Sequence, residues 1–173
     1  MADLDSLIAR LIHGGVEFVV VGGYAAAAHG VSLVTQDIDI CCPFTMHNLL
    51  SLQKAVSDLH PVHRLTPQRI PLHLTKENCT GLKNLYLGTD LGPLDCLGEV
   101  LGLGNYKAIE SHTIELEFPV GHCRFLDLDA LIKAKEAMDR PRDRETVLQL
   151  RAIKSRCDKK TPSKRQTGKR YRN

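Results

Sequence analysis

The sequence has no segment suited to crossing a membrane, because a spanning helix needs about 20 apolar residues and no apolar run approaches that length. The first residues, MADLDSLIARLI, are acidic and amphipathic, unlike a secretory leader. The sequence also lacks internal repeats and any stretch typical of a linker between domains. We therefore expect a cytoplasmic chain.

The six cysteines show no CxxC pairing, the spacing that is typical of structural zinc sites. Most of them have apolar neighbours in the sequence. Reduced thiols in a core are therefore expected, rather than disulfides or zinc ligands.

The composition favours one globular domain, since 173 residues with 43% apolar content can bury a substantial core. The charge is unevenly distributed: residues 157–173 contain seven basic side chains and one acidic side chain, whereas the whole chain has a net charge of +3. We predict a folded domain over residues 1–156 and a basic, disordered tail over residues 157–173. The tail either follows a phosphate backbone or only improves solubility.

The spacing of apolar residues predicts an α/β (α+β) domain. The segment 98–105 is rich in glycine and is predicted to be a mobile loop. The predicted elements are, in chain order, a helix over 3–13, strand 17–21, helix 24–28, strand 37–41, helix 46–60, a hairpin of strands 85–87 and 94–97, strand 114–118, and helices 127–137 and 142–156.

Two aspartates one residue apart, Asp37 and Asp39, are the most informative residues in the sequence. In a strand, residues two apart point to the same face, so both carboxylates would be available to bind Mg²⁺. A third acid, Asp95, lies in a later apolar run, where a carboxylate needs a partner such as a metal ion. Chance pairs of exposed acids and an acid capping a hairpin are the alternatives.

Gly22 and Gly23 follow the predicted strand 17–21 and precede a short, alanine-rich helix. Glycines at the start of a helix leave backbone N–H groups accessible to phosphates. Two divalent ions held by carboxylates can stabilise the attacking and leaving oxygens of a phosphoryl transfer. Together these residues suit transfer of a nucleoside monophosphate, with Asp95 deprotonating the acceptor hydroxyl; a simple turn is the alternative for the two glycines.

The block GGYAAAAHGVSLVTQDIDI, residues 22–40, resembles the signature of minimal nucleotidyltransferases of the DNA polymerase β-like superfamily. It is similar in particular to the nucleotidyltransferase toxins of type IV toxin–antitoxin systems, in which a His-Gly element and a threonine precede the aspartates. His29-Gly30 and Thr35 match these positions. Residues 92–98, GPLDCLG, and the segment 128–143 resemble the third-carboxylate strand and the C-terminal helical element of these proteins.

The resemblance implies a small mixed β-sheet with helices packed mainly on one face, the fold of the polymerase β-like nucleotidyltransferases. It implies two Mg²⁺ ions, a nucleoside triphosphate (NTP) as substrate, and an acceptor hydroxyl on an RNA 3′ end, tRNA especially, or on a protein. A cognate antitoxin protein is the further partner that it implies.

Four residues are predicted to contact the nucleotide: Gly22, Gly23, Thr35 and Lys135. Thr35 has the alternative of bonding a strand end, and a solvated helix face is the favoured alternative for Lys135. Asp143 either caps the last helix or orients Lys135.

One position departs from the pattern, because Leu33 occupies a place where such proteins often have an arginine. A protein of the same fold that binds nucleotide or RNA without turning the nucleotide over is therefore the alternative. An interaction module that uses the basic tail is a third hypothesis.

Overall fold

The structure, a computed structural model, describes residues 2–160. Its helices are α1 (Leu4–His13), α2 (Gly22–Ala28), α3 (Met46–Ala55), α4 (Tyr106–Ile109), α5 (Leu128–Met138) and α6 (Pro141–Lys160), with a short 3₁₀ helix over Ser57–Leu59. Its strands are β1 (Val19–Val21), β2 (Ile38–Cys41), β3 (Val62–His63), β4 (Asn84–Thr89), β5 (Gly92–Leu97), β6 (Glu99–Val100), β7 (Gly104–Asn105), β8 (Thr113–Phe118) and β9 (Gly121–Leu126).

The centre of the fold is a mixed seven-stranded sheet with the order β3-β4-β5-β2-β1-β9-β8. Strand β1 is antiparallel to β2 and parallel to β9, and β2 is parallel to β5. All three valines of β1 are buried, as expected for β-branched residues in a central strand. The predicted α/β fold with a small mixed sheet is therefore confirmed.

The helices begin where the sequence offers capping residues. The side chain of Asp3 accepts a hydrogen bond from the Ser6 N–H at the start of α1, and that of Asp127 accepts one from the Ala130 N–H at the start of α5. Each bond satisfies a backbone donor that a helix start leaves without an intrahelical partner. Helix α1 contacts β9 and α3 and buries apolar side chains that include Leu7, Ile8 and Leu11.

The structure differs from the sequence prediction in several segments, and strand β3 and helix α4 are among the elements that were not predicted. Strand β9 was not predicted, although its alternation of exposed and buried side chains is that of a half-buried strand. Helix α3 ends at Ala55, before the predicted 60. The glycine-rich segment 98–105 contains the β6–β7 hairpin instead of an irregular loop. Helix α6 continues to Lys160, so residues 157–160 of the predicted tail are helical; residues 161–173 of that tail lie outside the described residues.

The expectations for cysteine and membrane segments can also be compared with the structure. The thiols of Cys41, Cys42, Cys79, Cys96 and Cys123 are buried and reduced, as predicted, and Cys157 is exposed. Within residues 2–160, every helix is too short or too polar to cross a membrane.

Candidate active site

The sheet brings the three predicted acids together. Parallel strands β2 and β5 pair in the register that sets Asp39 beside Asp95, and Asp37 lies two residues before Asp39, just ahead of β2. One carboxylate oxygen of each aspartate lies within 4.8 Å of the corresponding oxygens of the other two. The crossover that places β5 next to β2 thus joins residues that are more than fifty positions apart in the sequence.

The three carboxylates, which we call the aspartate cluster, fit a hard divalent cation. Mg²⁺ binds oxygen ligands at 2.0–2.1 Å, so ligands on opposite sides of one ion lie about 4.2 Å apart. The oxygens of the cluster therefore need only a small approach to share an ion. Among residues 2–160, Asp37, Asp39 and Asp95 form the group of acids that could hold a metal ion.

Each carboxylate is oriented by a different donor. The Thr35 hydroxyl donates to Asp37 Oδ1 over 2.9 Å, and the Gly23 N–H donates to the Asp39 carboxylate. Arg64 binds Asp95 in a bidentate manner: Nη2 donates to both carboxylate oxygens, 2.6 Å from Oδ1, and Nε donates to Oδ1 over 3.1 Å. The aspartate side chains are therefore already directed before any ligand binds.

Arg64 is a site residue that the sequence analysis missed. It follows β3, whose pairing with β4 brings the guanidinium to Asp95 and, at 5.8 Å from the ring centroid, over Tyr86. Residues 61–84 contain three prolines in an irregular pattern and gave no signal of this pairing. A bidentate guanidinium favours the ionised form of a carboxylate and fixes its orientation.

Electrostatic repulsion is concentrated on Asp39. The pKa of Asp39 is raised to about 6, because burial disfavours its charged form and because the carboxylates of Asp37 and Asp95 are nearby. The ammonium of Lys135 and the Gly23 N–H act in the opposite direction. A bound cation would relieve the same repulsion.

The glycine pair packs directly against the aspartate cluster. Gly22 begins α2 with a φ of +66°, and a Cβ atom there would lie 1.9 Å from Asp39 Oδ2. A Cβ atom on Gly23 would lie 3.0 Å from the Thr35 hydroxyl. Glycine is thus required at position 22 by both the backbone conformation and the space. The predicted nucleotide contacts Gly22, Gly23 and Thr35 lie together at one end of the cluster.

Lys135 is buried, so the solvated helix face favoured for it in the sequence analysis is wrong. Its exposure is 8%, and its ammonium donates to Asp143 Oδ1 over 3.0 Å. Asp143 is 1% exposed and also accepts from Arg140 Nε. These two cations hold the pKa of Asp143 below its usual value despite burial. Asp143 thus orients Lys135 toward the aspartate cluster, one of the two alternatives predicted for it.

The remaining sequence candidates have plain structural positions. His29 Nε2 lies 2.7 Å from the Leu126 carbonyl oxygen, which packs the imidazole against β9. Leu33 lies in the wall of the cleft beside Gly23. Close by, Arg142 Nη2 donates to the Val34 carbonyl over 3.1 Å. A cation is therefore present near the place where the sequence has Leu33.

One cleft of about 1270 Å³ is lined by the aspartate cluster, the glycine pair, Arg64 and Lys135. At one end the wall is formed by the glycine pair, Leu33 and Thr35. Helix α5 contributes Lys135, helix α6 contributes Arg142, and the short link between the two helices contributes Arg140. Strands β4 and β5 and the β6–β7 hairpin form the other end, beyond Asp95.

Comparison with known proteins places this geometry in a fold class. No protein-family model matches the chain, and no curated protein matches it. The solved structures that are similar to it include the following two. The lincosamide antibiotic adenylyltransferase LnuA, with lincomycin bound, has 14% identity and a TM-score of 0.58, covering 87% of this chain and 95% of that one. A candidate nucleotidyltransferase from Thermotoga maritima has 17% identity and a TM-score of 0.51, covering 88% and 96%.

At these identities the likeness establishes the fold alone. The chain therefore has the polymerase β-like nucleotidyltransferase fold, as the resemblance of residues 22–40 implied. A fold hosts many functions, so the activity has to be argued from the site.

Proposed function

We propose that the chain is a Mg²⁺-dependent nucleotidyltransferase that moves a nucleoside monophosphate from a nucleoside triphosphate to an acceptor hydroxyl. The observation that carries this proposal is the aspartate cluster beside the glycine pair. Its three carboxylates, from β2, the residue just before β2, and β5, have oxygens within 4.8 Å of one another. Two-metal phosphoryl transfer uses such a cluster. The similarity to LnuA, an adenylyltransferase by name, supports the same reaction class.

In this proposal Asp37 and Asp39 would hold the two Mg²⁺ ions that the resemblance implies, and Asp95 completes the acceptor side. When bound, the ions neutralise charge on the triphosphate and on the oxygens that attack and leave. Asp95 accepts the proton of the acceptor hydroxyl, and the hydrogen bonds from Arg64 hold its carboxylate in a fixed orientation. Gly22 leaves room for phosphate oxygens next to Asp39.

The cations of the cleft support nucleotide binding. Lys135 lies close enough to Asp39 to lower its pKa, and its pairing with Asp143 fixes the position of the ammonium. Arg142 lies at the glycine end of the cleft, where it can contact phosphate in place of an arginine at position 33. The alternative of a catalytically weakened nucleotide or RNA binder depends on Leu33, and Arg142 weakens that argument.

Incubation with labelled nucleoside triphosphates, Mg²⁺ and a mixture of RNA, protein and small-molecule acceptors tests the proposal. We expect label transfer that Asp39→Asn reduces by about 10³-fold or more, because the variant removes a charged ligand of the cation. Asp58→Asn is the matched control, since Asp58 is exposed and pairs with Arg10 outside the cleft. Transfer that survives undiminished in Asp39→Asn would contradict the assignment. An RNA or tRNA acceptor and an antitoxin partner remain predictions from the resemblance.

A further inference from the structure

The acceptor end of the cleft has a distinctive surface. On the sheet, Asp95 faces Tyr86 across the β4–β5 pair, and the next pair on the same face is Asn84 with Leu97. The β6–β7 hairpin, residues 99–105, extends this surface. We call it the acceptor wall; its members are Asn84, Tyr86, Leu97, Glu99, Leu101 and Leu103.

The acceptor wall has no cation available for a phosphate group. Among the described residues, Arg64 is the one basic residue that lines this end of the cleft. Its guanidinium is already bound to the Asp95 carboxylate through Nε and Nη2. Lys135 and Arg140 are paired with Asp143. A polynucleotide acceptor would place a phosphate at every nucleotide, and such chains are held by basic residues.

The charge that the acceptor wall does offer is negative. Glu99 is exposed and has no ion-pair partner among residues 2–160. Its side chain lines the same cleft as Asp39 and Asp95, and the residue pairs with Asn105 in the β6–β7 hairpin. Glu99 therefore offers a carboxylate to a molecule bound at the acceptor end of the cleft.

Apart from Asn84, the rest of the acceptor wall is formed by a tyrosine and three leucines, and the cleft has room for a second molecule. Leu101 is 61% exposed and lines the cleft, so its side chain offers apolar surface to a bound molecule. The hairpin tip is fixed against α5, because a Cβ atom on Gly102 would lie 2.7 Å from Ala137 Cβ. The cleft volume of about 1270 Å³ exceeds the roughly 300–1,000 Å³ typical of a single small ligand.

We propose, building on the function proposed above, that the acceptor is a small amphiphilic alcohol that carries a protonated amine. The amine pairs with Glu99 and the apolar body packs on Tyr86 and the leucines of the acceptor wall. The acceptor oxygen attacks the α-phosphorus of the NTP and forms the new O–P bond. The bond between the α-phosphorus and the bridging oxygen breaks, pyrophosphate leaves with the electron pair, and Asp95 takes the hydroxyl proton.

A direct test offers labelled NTP and Mg²⁺ to the full chain with three classes of acceptor. The small-molecule class is a panel of hydroxylated amphiphilic amines, each supplied with its uncharged N-acetyl counterpart, and the other classes are total RNA and total protein. We expect label on amines. We expect Glu99→Gln to raise their KM about fivefold, the value of one partly exposed ion pair, with the KM of the NTP and that of the N-acetyl compounds unchanged. Glu117→Gln, an exposed change on β8, should leave all three constants unchanged.

The outcomes separate the two proposals. Label on RNA or protein would overturn the small-molecule acceptor and leave nucleotidyl transfer standing. An equal KM change for amines and N-acetyl compounds in Glu99→Gln would overturn the role of Glu99. Absence of label on every class, with NTP binding intact, would contradict both the acceptor class and the transfer reaction itself.

Discussion

At the scale of single residues, Asp39 is the acid of the cluster whose charged form is most disfavoured by its surroundings. It is buried beside two other carboxylates, and its pKa is raised from an ordinary value of 3.8 to about 6. Between these two values the folded protein binds more protons than the unfolded chain, so the stability of the metal-free protein falls as pH rises through this range. Above about pH 6 the Asp39 carboxylate is ionised, which lowers the free energy of unfolding of the metal-free protein.

This cost predicts how Mg²⁺ affects stability. A cation favours the ionised aspartates, so it should raise the melting temperature near pH 7.5 and raise it much less near pH 5, where Asp39 is protonated. Thermal unfolding with and without Mg²⁺ at both pH values measures the difference. Asp39→Asn should show a small Mg²⁺ effect at both. An equal Mg²⁺ effect in the wild type at both pH values would contradict the prediction.

The site residues differ in how far the sequence reveals them. Asp37, Asp39 and the glycine pair follow one another within 18 positions, and local periodicity is enough to set both carboxylates on one face. Arg64 was missed because its contact with Asp95 depends on strand pairing across an irregular segment. The burial of Lys135 depends on Asp143 of the next helix, which the pattern of one helix does not show.

At the scale of elements, the junction of β1 and α2 forms the floor of the site. The chain turns from strand to helix at Gly22, whose left-handed backbone and missing side chain let Asp39 approach. Gly15 supplies an internal comparison, because its φ of +65° is nearly the same but a Cβ atom there would have no neighbour within 4 Å. Substitutions at these two glycines therefore distinguish the effect of backbone strain from the effect of lost space beside Asp39.

We therefore expect Gly22→Ala and Gly15→Ala to cause similar backbone strain but different losses of cation binding. Both place alanine in a left-handed conformation, at a cost of about 1–2 kcal/mol, but only Gly22→Ala displaces the Asp39 carboxylate. We expect urea unfolding to show a loss in both variants, and Mn²⁺ titration to show a loss of cation binding in Gly22→Ala alone. Normal Mn²⁺ affinity in Gly22→Ala would contradict the close approach.

The buried pair of Lys135 and Asp143 joins helices α5 and α6 behind the site. Removal of one partner from a buried ion pair leaves a charge without compensation and costs about 3–5 kcal/mol. Asp143→Asn should destabilise the fold by roughly this amount in urea unfolding. Asp139→Asn is the matched control: it breaks the exposed pair with Arg144 and should cost less than about 1 kcal/mol. Similar losses in the two variants would contradict a structural role for the buried pair.

The elements themselves were predictable where the pattern was long or capped. The predicted bounds of helices α1 and α5, 3–13 and 127–137, agree to within one residue with the observed Leu4–His13 and Leu128–Met138. The β6–β7 hairpin was not predicted, because each strand has two residues and the glycines between them suggest a loop. Its position depends on the contact of Gly102 with α5, which only the folded chain contains.

At the scale of the whole molecule, one cleft joins the aspartate cluster, the glycine pair and the acceptor wall. Sequence comparison alone does not detect this arrangement, since no family model matches the chain, whereas the fold is shared with LnuA over 87% of the chain at 14% identity. Acidic and basic residues also lie in different parts of the chain. The described cleft presents an acid at its acceptor end, and the most basic segment, residues 161–173, lies outside the described residues.

The central claim is that three carboxylates from β2 and the region beside it, together with β5, hold a divalent cation against a triphosphate next to the glycine pair. Anomalous diffraction from crystals of the full chain with Mn²⁺ and a non-hydrolysable NTP analogue tests it most directly. The account predicts Mn²⁺ within bonding distance of Asp37 and Asp39, with the phosphates beside Gly22. Mn²⁺ and phosphates bound away from all three aspartates would contradict it.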